Sequence, residues 1–315
     1  MANTTFSGPV RSENGFKLTS KTAATGVVHD RTQISGLMDA RRKYLYEPFL
    51  QRPGLNAINI VDPDADDAAA LAVTQAANKN FETLGTNYTT ALTTFSATQA
   101  GIVMTTATTD QDQAILLPHL DTNQTAWSGT KWGTENQVEW ECSVSLPALD
   151  NQKVWAGLKL TNDQLPSTDA NQAYFYYASD TTNGQLIDDY SPWYFIYSVN
   201  GTDYLTNTGI SVAADTNYHF KISIDSDRKP SIFVNGVQYS VTTSAITAFD
   251  GSTSVTGTTQ ATIAANYSAT NANTQKGAAL KNDVDLIPYI GIENGAAAAE
   301  VLNVHYQAIS RHVFE

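Results

Sequence analysis

Residues 217–241 read NYHFKISIDSDRKPSIFVNGVQYSV, and this stretch decides the fold. YHFKISID and PSIFVNGVQYSV are two β-rich runs. The residues from Asp225 to Pro230 make the turn between them, and Asn235-Gly236 sits inside the second. Asn-Gly flanked by β-rich runs is the strongest short hairpin signal, because both residues tolerate the left-handed backbone of a type I′ turn. The same grammar recurs on both sides. QVEWECSVSL at 137–146 alternates, with Val138, Trp140, Cys142 and Val144 facing one way and Glu139, Glu141, Ser143 and Ser145 the other. KVWAGLKLTN, QAYFYYASD, PWYFIYSVNGTDYL, LIPYIGIEN and AEVLNVHYQAISRHV also read as strands. Asn183-Gly184, Asn200-Gly201 and Asn294-Gly295 serve as further turns. Ten or so strands at this spacing predict an antiparallel β-sandwich.

Composition bounds what such a sandwich can do. Hydrophobic residues make up 42% of the 315, enough for a real core, so the chain is not disordered overall. Charged residues are 16%, below the ~25% of an ordinary soluble domain, so Thr, Asn, Ser and Gln must supply the polar surface. A net charge of -13 argues against nucleic acid as a partner. Cys142 is the only cysteine, so no intrachain disulfide can form. No apolar run is long enough for a membrane-spanning helix, and MANTTFSGPVRSENG lacks the apolar core of a secretory signal. The expectation is synthesis in a host cytoplasm without export by that route, and no membrane partner.

The charge is uneven. Residues 1–60 hold eight basic and four acidic residues, or +4; the remaining 255 hold 18 - 8 = 10 basic and 31 - 4 = 27 acidic, or -17. A basic arm on an acidic body suggests that the arm lies on an acidic partner surface; a tail whose charge does nothing is the plainer alternative. Gly8, Pro9, Gly15, Gly26 and Gly36 predict an extended arm, with Phe6 and Phe16 among scattered apolar anchors. Residues 37–50 allow a short helix ending before Pro48. The division expected is an extended basic arm with a short helix over 1–50, an acidic turn and helical linker over 51–80, and the sandwich over 81–315. Within the linker, DPDADD at 62–67 precedes a helix-like run. Its D-x-D-x-D spacing has Asp67 where a calcium loop needs Gly and Val73 where it needs Glu. Residues 250–282 are too long and too polar for an ordinary connection, and read as a contact loop or an idle surface loop.

The hairpin at 217–241 and the closing stretch IPYIGIENGAAAAEVLNVHYQAIS resemble the concanavalin A-like, laminin G-like family of jelly-roll sandwiches, over about residues 85 to 312. The arm TTFSGPVRSENGFK and the segment TFSATQAGIVMTTATTDQDQAILLPHLDTNQTAW are similar to structural proteins of tailed-bacteriophage virions, including cyanophages, that decorate or cement the capsid. That resemblance implies an all-β, concanavalin A-like jelly-roll sandwich with an N-terminal arm, located on the capsid surface. It also implies the major capsid protein as partner and a homo-oligomer, dimer or trimer. The capsid-contact residues expected on the arm are Phe6, Arg11, Phe16, Lys17, Arg31, Arg41, Arg42 and Lys43.

The sequence carries no recognisable catalytic motif. A laminarinase-like glycosidase places three acids on one strand face, but after Glu139 and Glu141 the third place holds Val144. The pair is expected to be a solvated strand face. His29, His119, His219, His305 and His312 form no triad or metal spacing, and no phosphate-binding glycine loop occurs. The expectation is no catalytic residue, no cofactor and no metal. One rival remains. Tyr174, Tyr176, Tyr190 and Trp193 lie in an aromatic-dense run, and an outward set of such rings would grip a glycan, or else form core and a contact between subunits. The alternative function is therefore a carbohydrate-binding module on a phage head or tail fibre.

Overall fold

The computed structural model describes residues 19–21, 28–30, 42–59, 81–118, 131–161, 169–180, 191–246 and 275–313. Two stacked sheets make up these residues, and no α-helix occurs among them. Sheet A runs, in spatial order, through β1 (Thr19–Lys21), β2 (Val28–Asp30), β17 (Val237–Tyr239), β16 (Pro230–Val234), β15 (Tyr218–Ile224), β10 (Glu139–Ser145), β19 (Val301–His312), β7 (Gly101–Thr105) and β6 (Thr93–Ser96). Its tenth strand, β3 (Arg42–Glu47), pairs with the second half of β19. Sheet B runs through β14 (Thr202–Ser211), β13 (Pro192–Val199), β12 (Gln172–Ala178), β11 (Gln152–Lys159), β18 (Asp285–Asn294), β8 (Gln113–Leu117), β5 (Phe81–Gly85) and β4 (Leu55–Asn59), with β9 (Trp132–Gly133) beside β18. All pairings are antiparallel except β4 with β5. The expected all-β jelly-roll sandwich is the observed architecture.

Alternation builds the interior. Trp140, Cys142 and Val144 of β10 are fully buried between the sheets, as their spacing requires. Facing them across the sandwich, Phe175 of β12 stacks on Phe220 of β15 with ring centroids 4.3 Å apart. Trp193 meets the same Phe220 edge-on at 4.8 Å. These contacts join sheet to sheet, so they stabilise the stack beyond what either ladder provides. Asn200 and Asn235 have φ of 52° and 50°, with Gly201 and Gly236 at 75° and 78°, which closes the β13–β14 and β16–β17 hairpins as type I′ turns. In the β15–β16 turn the Asp225 carboxylate accepts the N–H groups of Asp227 and Lys229.

Four sequence expectations need correction. Residues 42–47, placed in a short helix, are the strand β3. RKYLYE satisfies a period of two as well as a helical turn, and the unpaired flank of β19 captures it as a ladder. Residues 1–50 are not a coreless arm. β1 and β2 extend sheet A beyond β17, β3 pairs with β19, and Phe49 is fully buried 5.5 Å from Phe81. The linker begins with β4, which is part of sheet B; its acidic cluster and helix lie outside the described residues. Asn294-Gly295 is no hairpin either, since β18 and β19 belong to different sheets and the turn carries the chain across the sandwich. Of the insertion at 250–282, residues 275–282 are tied down. Val241 N–H donates to Gln275 O, Gly277 N–H to Pro230 O, and Leu280 is buried.

Candidate functional site

The residues singled out in the sequence fall on three surfaces. The first is the β3 edge of sheet A. Arg42 and Lys43 are neighbours on a strand, so they point to opposite faces rather than spreading around a helix. Arg42 is committed to its own sandwich. Its Nη2 donates to Gln137 O and to Ser310 Oγ, both at 2.8 Å. Half-buried, this guanidinium is engaged within the sandwich at the position expected to meet the capsid. Lys43 is exposed. Beside it lie two residues that sequence reasoning did not select, Tyr46 at 56% exposure and Leu50 at 75%. Phe6, Arg11, Phe16, Lys17, Arg31 and Arg41 lie outside the described residues.

The second surface is the outer face of sheet B. Strand alternation sends Phe175 and Tyr177 inward and Tyr174 and Tyr176 outward, as expected. What alternation does not reveal is that the outer face is also closed: Tyr174 and Tyr176 are at most 1% exposed. Trp193 is fully buried on the inner face, and Tyr190 lies outside the described residues. None of the three described rings is an exposed glycan platform. The row carries more than the aromatic run suggested. Trp155 and Tyr289 stack at 6.5 Å, and the indole lies over Gly291, where an added Cβ would stand 2.6 Å from the ring. Lys159 Nζ sits 4.6 Å from the Tyr289 ring centre and 3.7 Å from Asp169 Oδ2, with both charges buried. Lys153 Nζ bonds Glu293 Oε1 at 2.7 Å, and Gln113 Nε2 donates to Glu293 Oε2. Buried charges persist only when paired in this manner. Trp155 Nε1, Tyr174 OH, and the amide oxygens of Gln113 and Gln172 are buried without a hydrogen bond to any described residue.

The third surface is the outer face of sheet A, home of the acid pair. Glu141 is not solvated: it is 3% exposed, and its Oε2 lies 3.0 Å from His219 Nε2 and accepts from Tyr306 OH at 3.4 Å. Burial, with the Glu141 charge added, pushes the Tyr306 phenol far above its ordinary range. Glu139 bonds Lys221 Nζ at 3.3 Å and accepts from Ser223 Oγ. Burial alone would raise its carboxyl, but the charges of Lys221 and Arg42 outweigh that and hold it below the usual range. A glycosidase's general acid needs the opposite, a carboxyl held up near the working pH. Cys142, next after Glu141, turns to the inner face, fully buried, as the core residue its spacing predicts.

One carboxyl is raised. Burial, reinforced by the charge of Asp150, lifts Glu300 from 4.5 to about 7. The folded chain then holds this proton more tightly than the unfolded chain does. Stability from this group is full below the unfolded value and is lost as pH rises from 4.5 towards 7. Glu300→Gln should therefore leave the melting temperature unchanged near pH 4 and raise it by roughly 2–4 °C near pH 8. Differential scanning calorimetry at the two pH values checks this; an equal shift at both would remove the titration as its cause.

No family model matches the chain, and no curated protein matches it either. Solved structures similar to it include a protein of unknown function from Shewanella oneidensis MR-1, with 11% identity, 89% of this chain and 97% of that one covered, and a TM-score of 0.45. The Bacillus licheniformis β-glucanase is similar at 9% identity, 84% and 97% coverage and TM-score 0.40. The Emp47p carbohydrate recognition domain is similar at 8%, 77% and 93%, and 0.41. Likeness at this level concerns the two-sheet fold and carries no function across.

Proposed function

We propose that this chain is a non-enzymatic structural protein of a tailed-phage virion that binds and stabilises the assembled capsid. One observation carries the reading. The +4 of residues 1–60 stands against -17 in the rest, so the N-terminal segment is basic on an acidic body. A basic segment carrying scattered apolar residues, on an acidic body, suits a large protein surface better than a small ligand. The acid pair supports the non-enzymatic part, since Glu141 is closed over by His219 and Tyr306 and Glu139 is engaged by Lys221 and Ser223.

Co-sedimentation with heads of the phage that encodes the chain tests this. Full-length protein should pellet with heads, and a chain lacking residues 1–18, which removes no described strand but does remove Phe6, Arg11, Phe16 and Lys17, should bind more weakly. Raising salt shortens the Debye length from about 10 Å at 0.1 M to about 3 Å at 1 M, so binding should fall without vanishing, because apolar anchors are not screened. Full-length protein that stays in the supernatant at low salt would sink the reading.

A carbohydrate-binding module is the second reading. The outer face of sheet B favours it, because Trp155 Nε1, Tyr174 OH and two amide oxygens offer sugar-like hydroxyls partners beside aromatic rings. It stands second because those rings are buried.

A further inference from the structure

Among the described residues β3 has a single strand neighbour, β19, and none of them pairs with the N–H and C=O groups along its other side. Natural sheets seldom leave a six-residue edge unguarded, because it templates pairing with another chain. Its sequence indicates which chain. Residues directly opposite in an antiparallel ladder share a face and a hydrogen-bonding state. Two copies related by a two-fold axis can therefore pair only residues of equal parity. Two registers pair five of the six residues of β3 with one another. Centred on Tyr44, the ladder sets Lys43 against Leu45 and Arg42 against Tyr46, which matches nothing. Centred on Leu45, it sets Lys43 against Glu47 and Tyr44 against Tyr46, each twice by symmetry.

Each strand brings a reason for that second register. Lys43 lies directly opposite Arg311 in its own sheet, a like-charge pair that costs stability. Glu47 of a second copy would deliver a carboxylate to Lys43 on its free side. On the other face Tyr46 packs 5.9 Å from Tyr306 yet remains 56% exposed, and Tyr44 of a second copy would continue that row. Pro48 follows Glu47 and ends the ladder, since proline has no N–H to offer. We infer that β3 is the seam of a two-fold homodimer, with Leu45 opposite Leu45, Lys43 opposite Glu47 and the two A sheets joined into one. This stands apart from the capsid reading and is measured on the purified chain alone.

The test is sedimentation velocity on the full chain with Lys43→Glu, with Glu47→Lys, and with an equimolar mixture of the two. Wild type should be a dimer. Each variant alone places like charges at both pairs and should weaken the dimer about tenfold or more. The mixture restores opposite charges at both pairs, so a heterodimer should form. Glu47 also accepts the Phe49 N–H at 2.9 Å, so Glu47→Lys carries a folding risk. Lys43→Glu does not, because it replaces the repulsion from Arg311 with attraction; its melting temperature should hold or rise while its dimer is lost. A monomeric wild type would overturn the inference, and so would a Lys43→Glu variant that dimerises as tightly as wild type. Two folded variants that stay monomeric when mixed would overturn it as well.

Discussion

A chain lacking residues 1–50 should lose roughly half or more of its folding stability, or fail to fold. The sequence alone makes this truncation look harmless, as the removal of a coreless arm. In the sandwich it takes away all of β3, whose register with β19 runs from Arg42–His312 to Glu47–Gln307. It takes Leu45, which packs on the main core, and Phe49, which is fully buried against Phe81. Loss of a buried Phe side chain alone costs about 3–5 kcal/mol, against a total of about 5–15 for a typical domain. The Arg42 bonds to Gln137 O and Ser310 Oγ disappear as well. Thermal unfolding followed by circular dichroism decides the matter. A truncated protein that melts cooperatively within a few degrees of the full chain would show that β3 is dispensable.

Phe175→Ala should be nearly as damaging. Its ring stacks on Phe220 at 4.3 Å and meets Phe195 at 5.4 Å, and it is fully buried between the sheets. Few side chains are placed to bridge sheet A and sheet B so directly. Around it, Trp193, Tyr218 and Phe220 are locked edge-to-face, so the neighbourhood has little freedom to collapse into the void. A cavity that cannot close puts the cost at the upper end of the range, about 3–5 kcal/mol. Urea unfolding should show a lower midpoint with an unchanged slope. A variant within about 1 kcal/mol of wild type would mean that the two sheets repack around the gap.

These residues mark how far the sequence could be read. β10 was legible because Trp140 and Cys142 against Glu139 and Glu141 leave no second period to choose. The hairpins at Asn200-Gly201 and Asn235-Gly236 were legible because left-handed backbone selects those residues wherever it occurs. β3 was not, because RKYLYE is short enough to fit either period, and its partner strand lies at the far end of the chain. Only the unpaired flank of β19, a long-range fact, makes the choice. The aromatic run shows a different limit. Alternation correctly separated Tyr174 and Tyr176 from Phe175 and Tyr177, but period states which way a side chain points and not whether anything covers it. Glu141 failed for the same reason. Its strand face looked solvated, yet His219 and Tyr306, from β15 and β19, close over its carboxylate.

The central claim, that the chain is a capsid-binding virion protein, is tested most directly by electron cryomicroscopy of heads of the encoding phage, assembled with and without it. The account predicts added density at repeating sites on the outer capsid surface, present only with the chain and fitting the two-sheet sandwich with its N-terminal segment towards the shell. Heads indistinguishable in the two preparations, under conditions where the chain is folded and in excess, would contradict it.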